Sequence, residues 1–390
     1  MHSAATKDIS SQGGPASAAM SEVKVLIAAG GTGGHVYPAI AIADALRESY
    51  DDIDILFVGT KDHMEWKTVP KAGYDITSIW ISGFHRRLTP KNLLFPFKLA
   101  TSLVQSLGIL GKFKPDVVIS CGGYAAGPIG WVAAKKGVPL IVQEQNSYPG
   151  VTNRILGKSA EHIFTAFKDA DHYFPIEKTE VAGNPTRKSL TDVDSRQAYK
   201  SFGFSEDKKT LLVLGGSGGA KSINEAMLQN IEKLHDNMEL QIIWQCGKRY
   251  YDQLRRDIDP QTYEHLLLKD FIHDMPSAYE VADIVVSRAG ALSCAELALT
   301  GNASILVPSP NVAGNHQTKN AQSMVEEGAA EMAADEELKE TLPALVKKVI
   351  SSDDKLEQMK RAAKELARPE AAKTIANKIL ALVKQKKSEI

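Results

Sequence analysis

Short apolar runs separated by amphipathic stretches organise this chain. Val23 to Ala29, Ile55 to Val58, Val117 to Ile119 and Leu140 to Val142 occupy the first half. Leu211 to Leu214, Ile242 to Trp244, Leu266 to Leu268, Ile284 to Val286 and Ile305 to Val307 occupy the second. Each run is short and apolar, as a buried strand is, and the stretches between, such as Val36 to Leu46 and Lys221 to Leu234, carry apolar residues at helical spacing. Near-continuous apolar strands alternating with helices predict parallel sheets covered on both faces. One unit occurs twice: an apolar run ends in Gly30-Gly-Thr-Gly-Gly-His35 and another in Gly215-Gly-Ser-Gly-Gly-Ala220, with the four glycines in register. Each reads as strand, glycine turn, helix. The expectation is an α/β protein of two doubly wound, Rossmann-like domains, residues 22–185 and 186–368, joined near Val181 to Arg187, with ligands in the cleft at the carboxyl ends of the strands. Residues 1–21 have almost no bulky apolar side chain and read as a disordered tail.

Composition narrows the functional classes. At 390 residues with 43% apolar and 24% charged residues, the chain is long enough for about two cores. Lys and Arg total 46 against 47 Asp and Glu, a formal charge of −1 that offers no basic face for nucleic acid. Cys121, Cys246 and Cys294 are odd in number and far apart, which excludes a disulfide framework and a Cys-x-x-Cys metal clip. With no membrane-spanning run and no signal peptide, a reducing, cytoplasmic setting is expected.

The glycine turns are candidate anion sites, because a helix N-terminus presents unpaired N–H groups and partial positive charge. A dinucleotide site is disfavoured, since the second strand ends Phe57-Val-Gly-Thr60 with no acidic residue for a ribose. A P-loop is approached at Gly215 to Ser222, but Ala220 replaces its last glycine, in a backbone conformation expected to cost alanine, and no strand ends in a Walker-type Asp. A nucleotide-sugar diphosphate remains. Glu296, about one turn into the helix opened by Ala291, can accept both hydroxyls of a ribose or be an ordinary solvated glutamate. Asn315, His316 and Gln317 can bond sugar hydroxyls or cap a helix. The Asp-x-Asp pairs at 52/54, 192/194 and 257/259 sit in polar stretches and read as chance matches, and no His-Glu-x-x-His motif is present.

Taken together, GGTGGH (30–35), CGGYAAGP (121–128), QEQN (143–146), GNPTR (183–187), GGSGGA (215–220), FIHDM (271–275), RAGALSCAE (288–296) and NHQTKNA (315–321) resemble the MurG family of peptidoglycan glycosyltransferases, from about Val23 to Ala330. The resemblance implies a GT-B fold and inverting transfer of N-acetylglucosamine from UDP-N-acetylglucosamine to lipid I, the undecaprenyl-diphosphate-linked muramyl-pentapeptide, giving lipid II. It places Ser217 near the donor diphosphate, the Ile272 backbone against uracil, and Ala291, Leu292, Ser293, Cys294, Ala295 and Glu296 along the ribose and phosphates. His316 and Gln317 fall at the sugar; Asn146 and Arg187 lie near the donor, and Thr32, Gly33 and Gly34 face it from the other domain. Gly30, Gly31, Gly122, Gly123, Tyr124 and Gly127 fall to the acceptor diphosphate. It further implies that residues 369–390 form a helix packing back on the N-terminal domain, and it makes other cell-wall synthesis or division proteins candidate partners.

Such a transfer needs a group to take the acceptor's proton and a cradle for the leaving diphosphate. His35 is the candidate base, the alternative being that it binds acceptor phosphate or caps its helix. The expected scheme uses no metal and no cofactor, UDP-N-acetylglucosamine being a substrate. From Ile76 to Pro115 there is no Asp or Glu, while Arg86, Arg87 and Lys91 interleave with Phe95 and Phe97. That composition suits an anionic membrane surface or an ordinary core helix with a basic outer face; a lipid-linked acceptor favours the first, and peripheral attachment at the cytoplasmic face of the bacterial inner membrane. Two alternatives stay open: a related UDP-sugar transferase or epimerase, and a non-catalytic nucleotide-sugar-binding subunit.

Overall fold

A computed structural model describes residues 22–83, 94–186, 190–216, 218–258, 262–312 and 315–389. The first half alternates β1 (Val23–Ala28), α1 (Gly33–Ser49), β2 (Ile53–Gly59), α2 (Glu65–Lys71), β3 (Asp75–Ser78), α3 (Phe95–Phe113), β4 (Val117–Ser120), α4 (Ala126–Lys135), β5 (Leu140–Glu144), α5 (Val151–Gly157), β6 (His162–Thr165) and β7 (Thr179–Val181). Its strands form one parallel sheet in the order β3-β2-β1-β4-β5-β6-β7. The second half runs α6 (Ser195–Phe202), β8 (Thr210–Leu214), α7 (Lys221–His235), β9 (Gln241–Gln245), α8 (Lys248–Asp257), β10 (Leu266–Lys269), α9 (Met275–Val281), β11 (Ile284–Ser287), α10 (Ala291–Thr300), β12 (Ala303–Leu306), α11 (His316–Glu326), β13 (Ala330–Met332) and α12 (Leu338–Ile350). Its parallel sheet is ordered β10-β9-β8-β11-β12-β13. Both are doubly wound, and β1 and β8, which carry the two glycine turns, hold equivalent central places beside the point where the strand order reverses.

Alternation along the central strands explains why both faces are covered. Val25 and Ile27 of β1 pack with Val36 and Ile42 of α1, while Leu26 and Ala28 pack with Ile129 and Val132 of α4. On β8, Leu211 and Val213 face one core and Leu212 and Leu214 the other. The chain ends in α13 (Asp353–Leu366) and α14 (Ala371–Ser388). α14 returns to the first domain, where Ile375, Ile379 and Val383, on one helical stripe, join the core under α1. The two crossings between domains touch: a Cβ on Gly183 would fall 2.3 Å from the Cβ of Arg368.

Candidate active site

The first glycine turn is built around a buried carboxylate. Glu65, fully buried at the start of α2, accepts hydrogen bonds from the Gly31 amide (3.1 Å), the Thr60 amide (3.0 Å) and the Thr60 hydroxyl (2.8 Å). The Gly31 N–H is thus committed inward. In the next turn His35 lies half-buried, its Nδ1 3.1 Å from the Gly30 carbonyl oxygen and 3.3 Å from the Thr32 hydroxyl. A carbonyl only accepts, so Nδ1 carries the proton and the neutral ring keeps its lone pair on Nε2. That edge lies against the second turn, where a Cβ on Gly122 would meet His35 Nε2 at 3.0 Å. Burial pulls the imidazole below its ordinary value of 6.5, and His316 pushes the same way, against opposing pulls from Glu144, the Gly30 carbonyl and Glu65. His35 is therefore neutral at pH 7. Tyr124 is half exposed, its ring over the backbone of Gly83, and Gly127 lies in α4.

Glu144, at the end of β5, anchors the loop that follows. It accepts from the Asn146 amide (3.0 Å) and side chain (3.2 Å), the Gly150 amide (3.1 Å) and Asn153 Nδ2 (2.9 Å). Its acceptor positions are filled, which makes it a scaffold rather than an acid or base.

In the second domain Gln245 ties the glycine turn to the loop after β10: its Nε2 donates to the Gly216 carbonyl (3.1 Å) and its Oε1 accepts from the Ile272 amide (2.8 Å). With that amide engaged, a base contact at Ile272 falls to its carbonyl. Ala220 has φ −129° and ψ 119°, extended backbone that alanine adopts freely, so the conformational cost expected of alanine there does not arise. What separates this turn from a P-loop is Lys221, which points outward to Glu225 at 3.5 Å, and Ser222, whose hydroxyl is bound by Arg288 Nη2 (2.9 Å) and by Asp335. Along α10, Cys294 packs into the core, its thiol pushed up to about 12 by burial. Ala291 is buried in the first turn, with Leu292, Ser293 and Ala295 partly exposed around it. Glu296 receives the hydroxyl of Tyr279 on Oε2 at 3.0 Å. Gln317 Oε1 accepts from the Ser309 amide at 2.8 Å, which leaves Nε2 as the donor end of this side chain.

The two halves meet through Asn320. Fully buried on α11, it accepts at Oδ1 from the Ser147 amide (3.0 Å) and hydroxyl (2.9 Å), and donates to the carbonyl of Ala289 (3.2 Å) and the side chain of Asn146 (3.5 Å). This places Asn146 at the domain interface, and His316, first residue of α11, near His35. Beside the hinge a cavity of about 280 Å³ separates Phe167 and Asn184 from Ala298 and Leu299. Arg187 and Ser217, and the basic residues Arg86, Arg87 and Lys91, lie outside the described residues. Of the residues that sequence reasoning passed over, Glu144, Gln145 and Asn320 stand inside two of the motifs, whereas Glu65, Gln245 and Tyr279 carry no local signal.

Both halves of the chain are similar to known proteins. The glycosyltransferase family 28 N-terminal domain matches residues 25–165 and the family 28 C-terminal domain residues 210–375. A UDP-N-acetylglucosamine–N-acetylmuramyl-(pentapeptide) pyrophosphoryl-undecaprenol N-acetylglucosamine transferase of Christiangramia forsetii is 44% identical over 366 residues, 93% of this chain and 99% of its own. The protein of the same name from Salinibacter ruber is 45% identical, with 92% and 96% covered. The crystal structure of Acinetobacter baumannii MurG superposes with a TM-score of 0.75 at 27% identity, covering 92% of this chain and 99% of that one. A UDP-GlcNAc 2-epimerase from Neisseria meningitidis shares the fold alone, at 14% identity and a TM-score of 0.63 over 92% and 100% of the two chains. Matched in both domains and over nearly its whole length, the chain belongs to glycosyltransferase family 28, among the MurG enzymes.

Proposed function

We propose that this enzyme transfers N-acetylglucosamine from UDP-N-acetylglucosamine to the muramyl sugar of lipid I, inverting the anomeric carbon, with His35 as general base. The acceptor hydroxyl oxygen attacks the anomeric carbon as the bond to UDP breaks on the opposite face; Nε2 of His35 takes the hydroxyl proton, and the electron pair leaves with UDP. The departing diphosphate is stabilised by the N–H groups and helix end that follow Gly215. The observation that carries this reading is the setting of His35: neutral, with Nδ1 held by the Gly30 carbonyl and Nε2 turned to the Gly122 turn, near His316 of the donor domain. No step is assigned to a metal. UDP release from UDP-N-acetylglucosamine is expected only when a lipid I analogue is present, and at the same rate in EDTA; acceptor-independent turnover would point to an epimerase, and binding without release to a non-catalytic subunit.

The acceptor is lipid-linked, and the α3 face of the first domain suits a bilayer surface at the cytoplasmic side. Phe97 and Val104 are each 68% exposed, and Leu107 and Trp80 are half exposed, with Lys98 stacked 5.5 Å from the Trp80 ring. Phe95, two residues and about 200° around the helix from Phe97, turns inward onto the core instead. Among the described residues no helix is long and apolar enough to cross a membrane, so attachment on this reading is peripheral. Reversing the charges of Arg86, Arg87 and Lys91 together is expected to weaken binding to anionic vesicles at least about tenfold, each cation being worth on the order of 1 kcal/mol near such a surface. UDP affinity should not change. Undiminished vesicle binding would refute the assignment.

A further inference from the structure

A carboxylate that receives two neighbouring hydroxyls works in one orientation of its plane, and a half-exposed glutamate samples many. Glu296 is held. Tyr279, on α9 and 2% exposed, donates its hydroxyl to Glu296 Oε2 at 3.0 Å. Tyr279 is fixed in turn at its backbone, where Asn302 Nδ2 donates to the carbonyls of Tyr279 (3.0 Å) and Ala282 (2.9 Å). The Thr300 hydroxyl closes the circuit, lying 2.8 Å from the Glu296 carbonyl oxygen and 2.5 Å from Asn302 Oδ1. Packing alone does not require the hydroxyl: a phenylalanine fills the same space, and a buried O–H costs stability unless paired. Its pairing with the carboxylate assigned to the ribose gives it a task.

We propose that Tyr279 is a positioning residue for nucleotide recognition, its hydroxyl fixing the Glu296 carboxylate so that the donor's ribose hydroxyls meet a preset acceptor. The inference rests on the assignment of Glu296 to the ribose. Burial first, then the charge of Glu296, raises the phenol well above its ordinary value, so it remains a donor throughout the working pH range. The consequence is selectivity for a ribonucleotide over its deoxy counterpart, with little effect on the uracil and diphosphate contacts.

The test is calorimetric titration of UDP and of 2′-deoxy-UDP into the full chain, wild type, Tyr279→Phe, Glu296→Gln and the double variant. Tyr279→Phe is expected to weaken UDP about tenfold, the effect of one hydrogen bond to a charged group, and 2′-deoxy-UDP less than about twofold. On the Glu296→Gln background it should have no further effect on UDP. A Tyr279→Phe protein with the wild-type ratio of the two affinities, whether both are kept or both fall together, overturns the proposal. If Glu296→Gln itself leaves the ratio unchanged, the ribose assignment fails; if Glu296→Gln abolishes the selectivity and Tyr279→Phe does not, only the positioning role fails.

Discussion

Replacing His35 with alanine is expected to lower kcat for sugar transfer by about 10²- to 10⁴-fold, the range that a positioned general base supplies, while the affinity for UDP-N-acetylglucosamine stays within about twofold. The expectation follows from the ring's hydrogen bonding. Nδ1 is committed to the Gly30 carbonyl, so the only basic atom is Nε2. Most of the nucleotide's contacts are assigned to the other domain, with only Thr32, Gly33 and Gly34 facing the donor from this one, which leaves its binding largely outside the reach of the substitution. A His35 that instead held the acceptor diphosphate as a cation would show a different pattern, a raised acceptor KM with kcat nearly kept.

The pH profile separates the two roles by sign. Burial places the pKa of His35 below 6.5. A base must be neutral, so kcat/KM should fall as pH falls and the imidazole takes up its proton, with a midpoint below 6.5. A phosphate-binding cation would show the reverse, losing activity as pH rises through that same value. Stability follows the same linkage: between the depressed folded pKa and 6.5 the unfolded chain binds the proton and the folded chain does not. The contribution of His35 is therefore fully present above 6.5 and is lost as pH falls through this window, and His35→Ala should flatten that part of the curve.

How far sequence reading reached depends on whether a feature is local. The strands β1, β2, β4, β5, β8, β9, β10, β11 and β12 announce themselves as apolar runs because both faces are covered, and the glycine clusters mark the turns after β1 and β8. The outer strands β3, β6, β7 and β13 are short and carry polar residues such as Asp75, His162, Glu180 and Glu331, so nothing in their period sets them apart from loop. At the site, the glycines, His35 and Glu296 are visible from their place after a strand or in a helix. The polar groups that hold them are not. Asn320 and Ser147 are 173 positions apart and meet only once the domains are placed. Glu65 reads as a solvated helix glutamate until the turn at Gly31 folds over it. The cost expected of alanine at position 220 does not arise, for a related reason: its backbone angles are set by the packing around it, and the residue type alone does not reveal them.

Gly123→Ala is expected to cost the first domain about 2–4 kcal/mol and to reduce kcat by roughly 10²-fold, for a single geometric reason. Gly123 has φ +86°, which an L side chain rarely adopts, and a Cβ there would stand 2.3 Å from the carbonyl oxygen of Gly30 and 3.0 Å from its nitrogen. The obstacle is backbone, so no rotamer change relieves it, and the two glycine turns of the first domain must move apart. The carbonyl displaced is the one that holds Nδ1 of His35, so the same shift unsets the base. Gly127→Ala is the matched control for stability alone, since Gly127 is itself assigned to the acceptor. It lies in α4, outside the left-handed region, and its Cβ would meet Thr152 Cγ2 at an ordinary 3.6 Å; a helical alanine there should be neutral or stabilising by up to about 1 kcal/mol. Thermal unfolding of the two variants reads the contrast in stability, and steady-state kinetics on Gly123→Ala reads the loss of turnover, with UDP affinity expected to survive in each. Wild-type turnover in Gly123→Ala would mean that the interlock of the two turns does not set His35, and the assignment of the base would lose its structural support.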